Sequence, residues 1–284
     1  MSRRSVLAGA GYAVAGTTAG QLLAVAQAQE VAQVRQGQGG AGICLSMLFE
    51  NAAKAKFETE KYVKNHLPLL REVYGDSVER IEVRTSNGSS MGVPSALLAS
   101  TTLWISDVQG FSQKLGANAE RINKDLDAVA KGNRLVQPDR IVFTTGDGRS
   151  DIPASSQIFS LYYRAFSGPM RGGRGPGPGP APVSGPDAPP ATPSFDAAYF
   201  ADVFLPKLYS LHGSSSARRL EGTTGMDQGA QKATQIAAYH IYIRDRSAYD
   251  QKSMSAFTEM QKDAEKFTQG LIPVFADMRL TAIA

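Results

Sequence analysis

The sequence is poor in the residues that build disulfides and metal sites. It has one cysteine, Cys44, and three histidines among its 284 residues. A single cysteine excludes an intramolecular disulfide, and three histidines leave few ways to build a zinc site from protein ligands alone. The sequence also lacks His-x-His, His-Glu-x-x-His and paired-cysteine motifs, and no glycine-rich dinucleotide fingerprint follows a predicted strand. We therefore predict no metal and no nucleotide cofactor.

The sequence also lacks a strong charge of either sign. Its formal net charge is +4, and two of the positive charges, Arg3 and Arg4, lie in a predicted leader, so the mature chain carries only +2. This surplus is too small to indicate a nucleic-acid partner. Hydrophobic residues make up 42% and charged residues 20% of the chain, a balance that excludes disorder throughout, a coiled coil or a polytopic membrane protein.

The first 28 residues resemble a twin-arginine export signal. Arg3 and Arg4 are followed by a weakly apolar stretch with no further charge until Glu30. Four glycines dilute this stretch, which makes it a poor membrane anchor. We therefore predict an export signal over residues 1–28, a periplasmic or secreted protein and no stable membrane insertion after cleavage. An uncleaved anchor is the alternative.

Small residues near the end of this leader supply the cleavage pattern. Cleavage after Ala26 or after Ala28 is equally compatible with the small-x-small rule. The polar residues that follow, 29–40, have no apolar periodicity, so we predict a disordered segment there.

The remainder of the chain repeats one order of elements, strand, helix, strand, strand, helix, strand. In the first copy the patterns predict strands at 43–49, 80–83, 96–105 and 135–144, and helices at 57–74 and 107–130. Residues 57–75 align with 195–213 at a shift of 138 without a gap, and Trp104 aligns with Tyr242 at the same shift. A constant long-range offset indicates a duplication, with one unit at 41–148 and a second at 154–284.

An insertion interrupts the second copy after its first strand, predicted at 156–166. Residues 167–194 contain nine prolines and seven glycines, which excludes a helix or a central strand. The corresponding connection in the first copy needs only seven residues, 50–56. We therefore predict a surface loop that replaces no core element.

One motif in the first copy resembles a known family. The residues Phe57-Glu58-x-x-Lys61-Tyr62-x-x-Asn65-His66-Leu67-Pro68-Leu69, placed between two strands, resemble the EthD-like branch of the dimeric α+β barrels. The resemblance implies an α+β fold of two ferredoxin-like βαββαβ units, whose sheets pair here into an intramolecular barrel, so that a monomer suffices. It also implies an oxidoreductase activity, which is the family's assignment. The better-understood barrel relatives include cofactor-free oxygenases, isomerases and haem proteins.

The same motif supplies the candidate catalytic residues. Pro68 lies inside a helical pattern and predicts a kink, because proline cannot donate to the preceding turn. Tyr62 and His66 are one turn apart on one helix face. We predict His66 as a general acid or base, Tyr62 and Asn65 as groups that orient the substrate, and Trp104 as a pocket wall. The alternative is an interfacial histidine that only packs at the kink.

Several other residues have simpler interpretations. Phe204 and Phe200 stand where His66 and Tyr62 stand in the first copy, which directs any chemistry to the first half. His240 is predicted as a half-buried sheet residue and His212 as a surface residue at a helix end.

Cys44 is predicted to be a small buried hydrophobe, because no histidine or basic residue adjoins it to lower its pKa.

Two hypotheses about function follow. The first is an exported EthD-like enzyme of oxidoreductase type that acts on a small hydrophobic or aromatic compound by acid-base chemistry at His66. The second is a non-catalytic periplasmic binding or accessory protein for a hydrophobic small molecule or haem. In both cases the predicted partner is a small hydrophobic molecule.

Overall fold

Eight antiparallel strands close into a barrel in the computed structural model, which describes residues 42–90, 93–165 and 193–284. The first four strands are β1 (Ile43–Glu50), β2 (Val78–Ser86), β3 (Leu97–Ile105) and β4 (Arg134–Gly146). The last four are β5 (Gln157–Ala165), β6 (Ala217–Gly225), β7 (Gln235–Ile243) and β8 (Leu271–Ile283).

The strand order confirms two paired ferredoxin-like units in one chain. Around the barrel the order is β1-β3-β2-β8-β5-β7-β6-β4, and β4 pairs back to β1. Each half therefore has the same internal order, β4-β1-β3-β2 and β8-β5-β7-β6. The halves join through β2 with β8 and through β4 with β6. Closure of the ring leaves none of these strands with a free edge.

In the described part of the chain, four long helices lie against the outside of the barrel. The first, α1, runs through three consecutive segments, Thr59–Lys61, Tyr62–His66 and Leu67–Tyr74, and α2 is Val108–Val129. In the second half α3 comprises Ala197–Tyr199, Phe200–Phe204 and Leu205–Ser216, and α4 is Arg246–Ala264. Within the described ranges no helix combines the length and apolar character needed to cross a bilayer.

The interruption predicted at Pro68 is a π-helical turn rather than a kinked α-helix. The turn spans Tyr62–His66, and the Leu67 N–H bonds five residues back to the Tyr62 carbonyl. The second half repeats this arrangement before Pro206. Pro68 has no N–H to donate, and the wider π-helical turn before it lets the backbone stay helical without that hydrogen bond. Such turns are frequent at functional sites.

Equivalent contacts recur in both halves at the predicted offset of 138. The Lys114 ammonium donates to the Tyr74 carbonyl at 2.7 Å, and the Lys252 ammonium donates to the His212 carbonyl at 2.6 Å. Each lysine thereby ties the second helix of its unit to the last carbonyls of the first helix, where a positive charge is favoured. The duplication is thus visible in individual hydrogen bonds.

The predicted helix start at Asp107 is confirmed, and its counterpart behaves alike. The Asp107 carboxylate accepts a hydrogen bond from the Gly110 N–H at 3.0 Å, and Asp245 accepts from the Ala248 N–H at 2.9 Å. Both aspartates have extended backbone angles before the first helical residue. They are therefore ordinary N-caps that satisfy otherwise unpaired backbone donors.

Two of the minor predictions need correction. His212 is buried at 2% exposure and stacks on Tyr249 with ring centroids 4.7 Å apart, so it is a packing residue and not a surface one. His240 is also fully buried, with Nδ1 2.9 Å from the Ser160 hydroxyl. Cys44 is buried as predicted, and burial raises its pKa.

Each strand faces the helices on one side and the barrel interior on the other. In β3 the helix-facing residues pack in the apolar layer under α1 and α2, and the alternate residues enter the interior. The helix-facing residues are Ala99, Thr101 and Leu103, and the interior ones are Ser100, Thr102 and Trp104. This alternation decides which candidate residues share a site.

Three predicted segments lie outside the described residues. They are the export signal at 1–28, the segment 29–40, and the proline- and glycine-rich insertion at 167–194 except for its last two residues.

Candidate functional site

His66 lies between α1 and α2 at the end of the π-helical turn. Its side chain is fully buried, and its Nδ1 is 2.7 Å from the Asp125 Oδ2 atom on α2. Its Nε2 atom is also buried and has no hydrogen-bond partner. The Asp125 side chain is 34% exposed, so its carboxylate contacts both the buried imidazole and the solvent.

The electrostatics of this pair favour a neutral imidazole that is able to accept a proton. Burial lowers the pKa of His66, and Arg134 lowers it further, while the hydrogen bond and charge of Asp125 oppose both. In the neutral form the Nδ1–H donates to the Asp125 carboxylate, which leaves Nε2 as the acceptor. A carboxylate that fixes the tautomer in this way is the arrangement found in acid-base catalysis.

Tyr62 forms the wall beside this histidine, as its one-turn spacing predicts. The two rings lie 4.8 Å apart between centroids, and the Tyr62 hydroxyl is 2.9 Å from the Thr101 Oγ1 on β3. The tyrosine is fully buried, and burial raises its pKa far above the physiological range. Tyr62 therefore stays a neutral phenol and can orient a neighbouring group but cannot ionise.

Asn65 points away from this pair, to the outside of α1. It is exposed and lines an open groove of about 540 Å³ between α1 and α2, which we call the outer groove. The groove reaches Asp125 and carries charges of both signs. Its other lining residues are Pro68, Leu69, Glu72, Arg121, Lys124 and Ala128.

A small cavity lies beneath the same helices, against the sheet. Its volume is about 30 Å³, which admits water but not an aromatic ring. Leu126, next to Asp125, and Leu70, one turn beyond His66, both line it. The remaining lining is almost entirely apolar, apart from Asn123 and Arg134. We call this space the inner cavity.

Trp104 does not share this site with His66, contrary to our expectation. It is 1% exposed and lies in the barrel interior, where its Nε1–H donates to Glu221 at 3.1 Å. Thr101, which bonds to Tyr62, has the opposite parity on β3 and faces the helices. The sheet therefore separates Trp104 from His66, and the two cannot contact one small substrate.

Asp125 was missed by sequence reasoning, although the duplication held a signal for it. The offset of 138 places Asp263 at the equivalent position, so both copies carry an acid there. In the second half Asp263 is buried and accepts from the Tyr199 hydroxyl at 2.8 Å and from Lys266 at 2.7 Å. The acid is common to both copies, and its histidine partner belongs to the first half.

The second half fills the corresponding space with aromatic rings. Phe204 and Phe200 are 1% and 0% exposed, and both pack against Phe267 at 4.7 and 5.3 Å between ring centroids. The two halves thus differ where the predicted chemistry lies, a polar pair in one and an apolar cluster in the other.

The surroundings of the histidines do not fit a haem. The inner cavity is not lined by His66 itself, and its volume of about 30 Å³ is far less than a porphyrin requires. His240 is buried inside the barrel, with its Nδ1 2.9 Å from the Ser160 hydroxyl. Across the described ranges, no group of three or more His, Cys, Asp or Glu side chains is arranged to bind a metal.

Comparison with solved structures shows the fold. A monooxygenase-like protein from Fusobacterium nucleatum subsp. nucleatum is 9% identical, with a TM-score of 0.51 over 87% of this chain and 95% of its own. An anthrone oxidase-like protein is 7% identical, with a TM-score of 0.48 over 86% and 93%. An EthD-like protein from Ralstonia eutropha is 17% identical, with a TM-score of 0.33 over 35% of this chain and 91% of its own.

The sequence matches no protein-family model and no curated protein. The likeness to the Fusobacterium protein nevertheless covers nearly the whole of both chains. The chain therefore has the dimeric α+β barrel fold that the EthD-like resemblance implied, with both halves of the barrel in a single polypeptide.

Proposed function

We propose that this protein is an oxidoreductase-type enzyme that acts on a small hydrophobic or aromatic compound, with His66 as the acid-base group. One observation carries the proposal. A fully buried histidine is oriented by a carboxylate at 2.7 Å through one ring nitrogen, while its other ring nitrogen has no partner. An unpaired buried polar atom is costly. His212 also has one, its Nδ1, but its ring stacks on Tyr249, so the carboxylate that orients the ring is what distinguishes His66.

The chemistry assigned to His66 is removal of a proton from the substrate. Its Nε2 accepts the proton of an acidic O–H, and Asp125 stabilises the imidazolium that results. The deprotonated compound is then a better electron donor toward dissolved oxygen. For a hydroquinone the balance is complete without a cofactor, since two electrons and two protons leave the substrate and oxygen becomes hydrogen peroxide.

The outer groove is the proposed entrance to this site. Both Asp125 and Asn65 line this groove. Asn65 could therefore orient a substrate as it enters, which is the role predicted from the sequence. The inner cavity is too small for an aromatic ring, so α1 and α2 must separate when substrate enters. Its apolar lining suits the ring of a compound whose hydroxyl meets His66.

Oxygen uptake on a panel of hydroxylated aromatic compounds tests the proposal. The His66→Gln and Asp125→Asn variants should lose turnover, by about 100-fold or more for His66→Gln, the usual loss when a general base is removed. Asp263→Asn changes the equivalent acid in the second half and should retain activity. Full activity of His66→Gln would refute the assigned role.

A binding or accessory role is the second candidate, favoured by the complete burial of His66 and the apolar inner cavity. A compound that raises the melting temperature without being consumed would support this role. Turnover that depends on His66 would exclude it.

We also propose that the protein is exported by the twin-arginine route, from Arg3 and Arg4 in the leader. Fractionation of cells that express the full chain should place it outside the cytoplasm. Exchange of both arginines for lysine should retain it inside.

A further inference from the structure

The exposed apolar side chains of the described residues lie in one of the two halves. Every large hydrophobic side chain that is exposed there belongs to the second half. These side chains are Val203, Met254, Phe257, Ile272, Phe275 and Ile283. A single exposed hydrophobic residue needs no explanation, but contiguous apolar patches mark interaction surfaces. Both halves share one fold, so the fold itself does not account for this difference.

The second helices of the two units show the difference most clearly. The residues that α2 buries are Phe111, Leu115, Ala119, Ile122, Leu126 and Val129, whereas α4 buries Tyr249, Ala256 and Asp263. At the offset of 138, Met254 corresponds to Gly116, and Phe257 corresponds to Ala119. Met254 is 82% exposed and Phe257 is 50% exposed. The barrel therefore does not need a large side chain at either position.

Met254 and Phe257 are on the flank of α4 that faces β8. This flank begins with Arg246, which donates to Asp250 one turn further on at 2.9 Å and to Asp277 on β8 at 2.8 Å. Met254 and Phe257 follow Asp250 by four and seven residues, so they continue the same row of side chains along the helix. The helix therefore presents both apolar side chains on the side of β8.

Pro273 and Phe275 supply the β8 side of this surface. Both are exposed, and they have the same parity as Asp277, so all three side chains are on one face of the strand. That face is the helix-facing one, because the residues opposite Pro273 and Phe275 on β5, Tyr163 and Leu161, belong to the apolar layer under the helices. We call Met254, Phe257, Pro273 and Phe275 the α4–β8 face.

Both ends of the insertion lie next to this face. Ala165, the last described residue before the insertion, is paired with Leu271 on β8. Ser194, the second described residue after it, is paired with Gln269. Pro273 is two residues beyond Leu271, or about 7 Å along the strand. The chain between the two ends is thus tethered on both sides beside the α4–β8 face.

This tethered segment, residues 166–192, has a composition that suits an aromatic surface. It contains eight prolines among its 27 residues. Proline-rich chains dock on aromatic-lined surfaces because their extended conformation is preformed and little entropy is lost. The first half has neither the segment nor the surface, since its connection is only seven residues, 50–56, and its described residues expose no large hydrophobic side chain.

We propose that residues 166–192 dock on the α4–β8 face, with their prolines against the rings of Phe257 and Phe275. The tether at both ends keeps the segment at a high local concentration, so a weak contact suffices. The insertion thereby covers apolar surface that would otherwise be open to other proteins. The face lies in the second half, and its occupation does not depend on the chemistry proposed for His66.

Two arginines inside the segment, Arg171 and Arg174, let trypsin report on docking. Docking should slow cleavage of the full chain at both arginines relative to a free peptide of the same sequence. Phe257→Ser and Phe275→Ser should each speed this cleavage by about tenfold, as expected when one aromatic side chain is no longer covered and cleavage follows the undocked fraction. Val203→Ser removes an exposed apolar side chain from α3 and should leave the cleavage rate unchanged.

Met254 gives an independent measurement, because peroxide oxidises exposed thioethers faster than buried ones. Residues 166–192 are replaced by a link of seven glycine and serine residues, the length of the corresponding connection in the first half. This change should raise the oxidation rate of Met254 several-fold, while Met278, at 0% exposure, should stay protected and show that the fold is intact.

Either of two results would overturn the proposal, namely unchanged oxidation of Met254 or native cleavage as fast as in the free peptide. A native dimer in light scattering that protects Met254 with or without the segment would also overturn it, since a second copy of the chain would then be the occupant.

Discussion

Asp139 allows a sharp test of the barrel interior by a single substitution. Its side chain is fully buried on β4, and its Oδ1 accepts from Gln137 at 2.8 Å. Burial raises its pKa from 3.8 to about 7, although hydrogen bonds from Ser46 and Gln137 lower it. The native state therefore holds a proton that the unfolded chain releases between about pH 4 and pH 7.

The sign of the linkage follows from this difference. Because the native state binds more protons in that window, the stability contributed by Asp139 falls as the pH rises from 4 to 7 and is lost above 7. A shift of about three pH units corresponds to about 4 kcal/mol, at about 1.4 kcal/mol per unit. Asp139→Asn stays neutral at every pH and accepts the same hydrogen bond from Gln137. It should stabilise the protein by about 4 kcal/mol at pH 8, and by less than half of that at pH 5.

Urea denaturation at pH 5 and pH 8 measures both values as changes in the free energy of unfolding. Asp263→Asn is the matched control. Burial of Asp263 raises its pKa, but hydrogen bonds from Lys266 and Tyr199 outweigh this and leave the pKa below its usual value. The control should therefore lose stability at pH 8. An equal effect of Asp139→Asn at both pH values, or a loss at pH 8, would refute the reasoning.

Three further predictions address the site, the duplication and the assembly. Asp125→Asn removes the interaction that raises the pKa of His66, so the His66 ring should titrate at a lower pH by NMR; an unchanged titration would contradict the pairing. Replacement of Lys114 or of Lys252 by methionine should each lower the free energy of unfolding by about 1–3 kcal/mol in urea denaturation, since each lysine joins two helices by charged hydrogen bonds. An unchanged free energy of unfolding would show that the lysine concerned does not stabilise the fold. Residues 29–284 should run as a monomer in size-exclusion chromatography with light scattering, because the two halves are covalently joined, and a dimer that needs both chains to close its barrel would contradict this.

Local patterns predicted the elements well, because periodicity and caps are properties of neighbouring residues. The strand that begins at Ile43 and the capped helix after Asp107 are placed as expected. The constant offset between the copies predicted that two similar units pair in one barrel, since a repeated sequence unit is expected to repeat its contacts as well. The position of Pro68 predicted an interruption of α1, but proline alone does not distinguish a kink from a π-helical turn.

The site was less predictable, because it depends on which faces meet. Trp104 lies on a strand that is buried on both sides, so hydrophobicity did not reveal its parity, and a shift of one residue moves a side chain to the other face. The partnership of His66 with Asp125 joins residues 59 positions apart on different helices. Only the packing of α1 on α2 brings them together. The one sequence signal for Asp125 was the aspartate at the equivalent position of the second copy, Asp263.

The pattern of divergence separates the structural features of the barrel from those proposed to be functional. Contacts that cross between halves, Tyr242 with Glu82 and Trp104 with Glu221, are kept in both directions, because each half completes the buried carboxylate of the other. The pair of His66 with Asp125 lies within one half and has no counterpart in the second. In a dimer of identical chains such a pair would occur twice or not at all. Fusion of the two units removes that constraint, so one half can keep a polar pair while the other packs aromatic rings in the same place.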